Sequence, residues 1–160
     1  MAAPSTTTRT TPAAGYMKEG HSTKIAFNRV PSFKAWEIEV QPPGIEGGDP
    51  INITTMHNTA WETMYARVLK TLTPFTLLMA YSLEAFDDAL TYLINDDGSI
   101  TCHFPGGDKL DFYGWMQNFL PQSHKRGEMP TANATIVPSN FDSTNNVEAS
   151  PVLTLASGTP

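Results

Sequence analysis

The sequence predicts a mainly β protein, either a β-sandwich or a partly closed barrel, with one flanking α-helix at about residues 83–95 and extended arms at both ends. Over most of residues 24–140 apolar side chains recur at every second position, which is the period of a half-buried strand. Only 16% of the 160 residues are charged, and the abundance of Thr, Ser, Asn, Gly and Pro favours strands, turns and loops over helices.

The two ends of the chain have the composition of flexible arms. Residues 1–23 are rich in Thr, Ala, Pro and Gly and show no periodicity, and residues 141–160 are similar. A short apolar patch at Val152, Leu153 and Leu155 could dock as a small strand on this copy or on a neighbouring one. The predicted organisation is an N-terminal arm (1–23), one β domain (24–140) and a C-terminal arm (141–160).

The first strand of the domain is predicted within residues 33–40. Its apolar residues are expected on a buried face, namely Trp36, Ile38 and Val40, and its carboxylates on the solvent face, namely Glu37 and Glu39. Residues 41–50 are rich in Pro and Gly and end this strand, and alternation at residues 51–55 predicts the next.

Residues 60–72 carry a different pattern, because their apolar side chains follow the spacing of an amphipathic helix. The side chains concerned are Trp61, Met64, Tyr65, Val68, Leu69 and Leu72. Taken alone, this spacing predicts a helix, although the Thr residues in and beside the segment weaken it.

A central strand and the helix follow. Residues 75–81 are apolar on one face and small or apolar on the other, as in a strand covered on both sides. Ser82 is placed to cap a helix that ends before Gly98. The predicted core-facing stripe of that helix consists of Leu83, Phe86, Leu90, Leu93 and Ile94.

The remainder of the domain reads as strands and turns. Residues 99–104 alternate, the turn at 105–108 contains two glycines, and residues 109–120 form the return strand of a hairpin. A last strand is predicted at 131–137. Trp36 and Trp115 are both expected in the core.

Charge and chemistry exclude several classes of function. The net charge of −6 argues against a general nucleic-acid binder, which needs a basic surface. The single cysteine, Cys102, allows neither an intrachain disulfide nor a thiolate zinc cluster. The sequence contains no phosphate-binding loop, nucleophile elbow or metalloprotease signature. We therefore expect no enzyme activity, no cofactor and no metal, and the lack of a secretion signal or long apolar run predicts no membrane partner.

The order of several short segments resembles the major tail tube protein of long-tailed, siphovirus-like bacteriophages. The segments are NITTMHNTAW (52–61), PFTLLMAY (74–81), SITCHFPG (99–106), LDFYGWMQNFLP (110–121) and MPTANATIVPSN (129–140), with the predicted helix between the second and third. The resemblance covers about residues 25–140 and depends on the order of these segments rather than on any one of them.

The resemblance implies a structural role. In such proteins six copies form a ring whose inner strands join into a barrel, rings stack into a tube, and DNA passes through the channel without sequence-specific binding. It also implies partners in the same tail, such as tape measure, distal tail and terminator proteins, and a place in the virion after assembly in the host cytoplasm. The family has an irregular loop leaning on neighbouring subunits where residues 59–73 lie here, so a loop is favoured over the helix.

Three sets of residues are the predicted sites. Inter-subunit contacts are expected at Trp61, Met64, Tyr65 and Val68, and channel-facing acids at Glu37 and Glu39. Residues 1–36 carry a net charge of +4, and Arg9, Lys18 and Lys24 in this region are the expected ring-stacking contacts. The alternatives are a distal tail or terminator ring protein, a secretion-tube subunit of similar fold, or a small carbohydrate-binding β-sandwich module.

Overall fold

A computed structural model describes residues 23–33 and 35–155, and the fold is mainly β with one short helix, as predicted. The strands are β1 (Lys24–Phe27), β2 (Glu37–Val40), β3 (Ile45–Glu46), β4 (Ile51–Asn52), β5 (Met64–Tyr65), β6 (Thr71–Leu72), β7 (Phe75–Ala80), β8 (Gly98–His103), β9 (Lys109–Pro121), β10 (Thr131–Pro138), β11 (Phe141–Asp142), β12 (Val147–Glu148) and β13 (Val152–Thr154). The helix is α1 (Leu83–Asp88), and a π-helical turn (Ala89–Leu93) continues it.

The main sheet is antiparallel and has the strand order β1-β8-β9-β10-β7-β2, with β13 paired to β9. The sheet is not closed into a barrel. Its two edge strands nevertheless approach each other. The Glu37 carboxylate of β2 accepts a 2.9 Å hydrogen bond from the Ile25 backbone N–H of β1. The result is a sandwich-like fold around one core.

The core lies on one face of the central strands, as the alternation predicts. The side chains of Leu77 and Met79 in β7 and of Ala134 and Ile136 in β10 are fully buried. The hairpin between β8 and β9 also forms as predicted, and the Phe104 N–H donates to the Asp108 carbonyl oxygen across its turn. Burying this apolar face is the main favourable contribution to folding.

The predicted core-facing stripe of the helix is wrong in most of its members. Ser82 caps the helix, since its Oγ accepts a 3.1 Å hydrogen bond from the Ala85 N–H. The buried residues are Ala85, Ala89 and Leu93, whereas Leu83, Phe86 and Leu90 are exposed. The small alanines bring the helix close to the sheet, so the larger apolar side chains lie outside.

The edge strand β2, predicted as the first strand of the domain, also differs from its prediction, and β1 precedes it. Trp36 and Ile38 are exposed to 65% and 49%, so Trp36 is not a core residue, while Trp115 is half-buried. A β-bulge between Glu37 and Glu39 changes the alternation. Glu37 pairs with fully buried Met79 and is itself half-buried, whereas Glu39 is exposed, so the two carboxylates do not share one solvent face.

Residues 44–73 form a long hairpin that is separate from the main sheet. Its ladder pairs β3 with β6 and β4 with β5, so residues 60–72 are not helical but contain the two short strands β5 and β6, with a bend at Val68 between them. The Thr73 N–H donates to the Gly44 carbonyl oxygen at 2.9 Å and closes the base. The apolar side chains that follow a helical spacing in the sequence therefore lie on a two-stranded ribbon. Residues 44–71 of this ribbon are all exposed.

The predicted C-terminal arm is attached to the domain in the part that the structure describes. β11 and β12 form a small hairpin, and β13 pairs with Lys109–Asp111 of β9 in the same chain. Of the two alternatives for the patch at Val152 and Leu153, docking on this copy is therefore the one observed. Both side chains stay exposed.

Candidate assembly surfaces

The long hairpin is the most exposed apolar part of the described chain. Nine of its large apolar side chains are exposed, namely Ile45, Ile51, Ile53, Met56, Trp61, Met64, Tyr65, Val68 and Leu69. The exposure reaches 99% at Met56 and 84% at Trp61. An isolated two-stranded hairpin is marginally stable in water, and a contiguous exposed apolar surface marks an interaction site. The hairpin therefore has the properties of a docking element.

The tip of the hairpin is held in one conformation by the side chain of Asn58. Its Oδ1 accepts a 2.9 Å hydrogen bond from the Thr55 N–H, and its Nδ2 donates to the Trp61 carbonyl oxygen at 2.9 Å and to the Thr63 Oγ1 at 2.8 Å. The Thr63 N–H in turn donates to the Thr54 Oγ1 at 2.8 Å. A tip fixed in this way loses little conformational entropy on binding.

The predicted inter-subunit residues all lie on this hairpin. Trp61, Met64, Tyr65 and Val68 are exposed. Because directly paired residues share a face, Tyr65 extends one apolar face with Ile51, while Met64 lies opposite Asn52 on the other face. Their contact with another copy stays a prediction.

A second exposed apolar surface, here called the outer face of α1, lies on α1 and on the π-helical turn that continues it, and the sequence pattern predicts it in the core. Leu83 is 75% exposed and Leu90 68% exposed, with Phe86 between them. Phe86 packs edge-on against Tyr81 and near Phe119, and Tyr81 also contacts the His124 ring. No pattern in the sequence distinguishes this face from the buried one, because both are apolar.

Cys102 of β8 and Glu37 of β2 are both close to Ile25 of β1, since Cys102 pairs with Ile25 in the sheet and Glu37 accepts a hydrogen bond from its N–H. Burial of the Cys102 thiol and, second, the charge of Glu37 raise the pKa of this thiol from 9.0 to about 11. A thiol that stays protonated at neutral pH is a poor nucleophile and a poor metal ligand. Cys102 is thus a small residue of the core.

The other predicted site residues have different outcomes. Lys24 is exposed at the start of β1, while Arg9 and Lys18 lie outside the described residues. The channel-facing role of Glu37 and Glu39 stays a prediction. Of these two, Glu39 is the more exposed.

The described residues hold no group of three or more His, Cys, Asp or Glu side chains that could bind a metal ion. In the same part of the chain, no helix is long and apolar enough to cross a membrane. The only α-helix there, α1, has six residues.

Comparison with known proteins gives a likeness of fold. No protein-family model matches the chain, and no curated protein matches it. Among solved structures, the chain is similar to one chain of the anti-feeding prophage (AFP) baseplate, whose cryo-EM structure is 6-fold symmetrised. The TM-score is 0.52 and the identity 8%, and the match covers 73% of this chain and 87% of that chain. At this identity the likeness shows the fold alone.

Proposed function

We propose that the chain is a structural, non-catalytic subunit of a phage-type tail tube. Copies of it form rings, six to a ring by resemblance, and the rings stack around a channel through which DNA is delivered without sequence-specific binding. Its partners are other copies and further tail proteins, such as tape measure, distal tail and terminator proteins. Its place is the virion, after assembly in the host cytoplasm, and no membrane is involved.

The exposure of the long hairpin is the observation that carries this proposal. A monomer with Trp61 and Met56 exposed to 84% and 99% presents apolar area that self-association would remove from water. The two-stranded ladders of the long hairpin also leave strand edges, such as that of β4, available for pairing with another copy. A ring closes such edges and prevents open-ended aggregation.

The likeness in fold supports the same class of role. The matched chain belongs to the baseplate of a prophage, in a cryo-EM structure that is 6-fold symmetrised, so its fold occurs in a prophage baseplate. This match also favours a second candidate, a distal ring or terminator subunit. A tube subunit stacks without limit, whereas a subunit of that kind stops after one or two layers.

A shortened hairpin tests the proposal. The ladder pairs Glu46 with Thr71, so residues 47–70 can be replaced by an Asn-Gly turn that joins these two neighbours. Because residues 47–70 are all exposed, the variant should keep the melting temperature of the full chain. Sedimentation velocity should show large assemblies for the full chain and monomers for the variant. Equal sedimentation of the two proteins would contradict the proposal.

A further inference from the structure

The outer face of α1 combines apolar and acidic side chains. Leu83, Phe86 and Leu90 are spaced three and four residues apart and form one exposed stripe. Glu84 and Asp87 are exposed beside it. Neither carboxylate forms an ion pair with another described residue. The single chain therefore leaves an apolar stripe with unpaired negative charge along it.

The long hairpin carries the complementary combination on its return strand. Val68 and Leu69 are exposed to 82% and 81% and lie between two cations, Arg67 and Lys70. The Arg67 Nε donates to the Asp49 carbonyl oxygen at 2.6 Å. The aliphatic stem of Arg67 passes over Gly48, where a Cβ would lie 3.0 Å from the Arg67 Cδ. Arg67 is thus held across the hairpin, and neither cation forms an ion pair within the described part of the chain.

We infer that the segment Arg67–Lys70 of one copy docks on the outer face of α1 of a second copy. The backbone bends at Val68, so this segment is not a regular strand, and its apolar side chains cover the stripe of Leu83 and Leu90 while its two cations face the acidic side chains beside that stripe. The occupant is a second copy because each surface stays exposed in the single chain and each matches the other in polarity and in the sign of its charge. The inference rests on the proposed self-assembly and names the surfaces that make it.

Charge exchange tests the pairing. The double variant Arg67→Glu/Lys70→Glu places like charges against α1 and should reduce the assembled fraction at least about tenfold. Glu84→Lys/Asp87→Lys should do the same, and the variant with all four substitutions should recover assembly. All four positions are exposed and not ion-paired in the single chain, so the melting temperatures should remain alike.

A matched variant controls for changes in net charge. Glu128→Lys/Glu148→Lys reverses two exposed acids elsewhere and should assemble. The docking would be overturned if the four-fold variant did not recover assembly. It would also be overturned if Arg67→Glu/Lys70→Glu or Glu84→Lys/Asp87→Lys assembled normally. Either result would leave the proposed function in place.

A cross-linking measurement separates this inference from the proposed function. A mixture of Val68→Cys and Leu90→Cys proteins, oxidised with diamide, should give a mixed disulfide dimer on a non-reducing gel. Buried Cys102 does not interfere, because it is not exposed to solvent. Val68→Cys mixed with Val147→Cys, an exposed position on β12, should give no such dimer. The dimer without rings or tubes would support the docking and contradict the proposed function, and no dimer above this control would overturn the docking.

Discussion

At the scale of single residues, Gly114 shows how close packing of two strands determines which side chain a position accepts. Gly114 lies in β9 opposite Pro138 of β10, and a Cβ there would lie 2.5 Å from the Val137 carbonyl oxygen. That atom belongs to the backbone of a central strand and cannot move aside. The glycine is required for close approach of two strands, a reason that the sequence alone does not reveal.

Gly114→Ala should therefore destabilise the protein by about 1–3 kcal/mol and lower Tm by about 3–10 °C. Gly47→Ala is the matched control, because a Cβ at Gly47 has no heavy atom within 4 Å. Its Tm should change by less than about 2 °C. Thermal unfolding followed by circular dichroism measures both. Equal shifts for the two variants would contradict the close approach at Gly114.

The Cys102 thiol predicts a pH dependence of stability. Its pKa is raised to about 11 in the fold, so the folded state holds a proton that the unfolded chain releases from about pH 9. This contribution to stability is complete below pH 9 and is lost as the pH rises through 11. Denaturant unfolding of wild type and Cys102→Ala is measured at pH 8, 9 and 10. As the pH rises, the free energy of unfolding should fall more for the wild type than for Cys102→Ala. Parallel curves would disprove the raised pKa.

At the scale of elements, the sequence predicts those whose partners lie within the chain. The alternation in β7, β8 and β9 reports burial against the protein's own core, so these strands are predictable. The helix and the long hairpin carry apolar side chains on faces that no described residue covers. Periodicity cannot tell such a face from a core face, which explains the errors at Leu83, Leu90 and Trp36.

Trp61 should matter for assembly rather than for folding. Trp61→Ala removes a side chain that is 84% exposed, so the free energy of unfolding should change by less than about 1 kcal/mol. The assembled fraction should fall at least about tenfold, since buried tryptophans dominate interfaces. Sedimentation and thermal unfolding of the same preparation measure the two effects. Matching losses in both would place Trp61 in the fold of the monomer.

The hydrogen bonds of Asn58 predict a role for tip rigidity. Asn58→Ala removes three contacts of 2.8–2.9 Å and should speed amide exchange at Thr55 while leaving the core amides unchanged. Assembly should weaken, although Asn58→Ala leaves all the apolar contact side chains in place. Thr59→Ala is the control, since no hydrogen bond of its side chain is present in the described residues. Assembly unaffected by Asn58→Ala would show that tip rigidity is unimportant.

At the scale of the whole molecule, one chain folds around its own core and keeps two large apolar surfaces outside it. The fold class follows from the sequence, because burial in the sheet fixes the period of the strands. The positions of the long hairpin and of the outer face of α1 do not, since no described residue covers their apolar side chains. Their shared exposure is the observation on which the proposed self-assembly rests.

Negative-stain electron microscopy of the concentrated full chain tests that claim most directly. The account predicts rings that stack into hollow tubes, with a central channel wide enough for duplex DNA. Short stacks of one or two layers would instead support the distal ring or terminator role. Uniform single-chain particles at every concentration, together with quenching of tryptophan fluorescence by glycans, would contradict self-assembly and favour a carbohydrate-binding module.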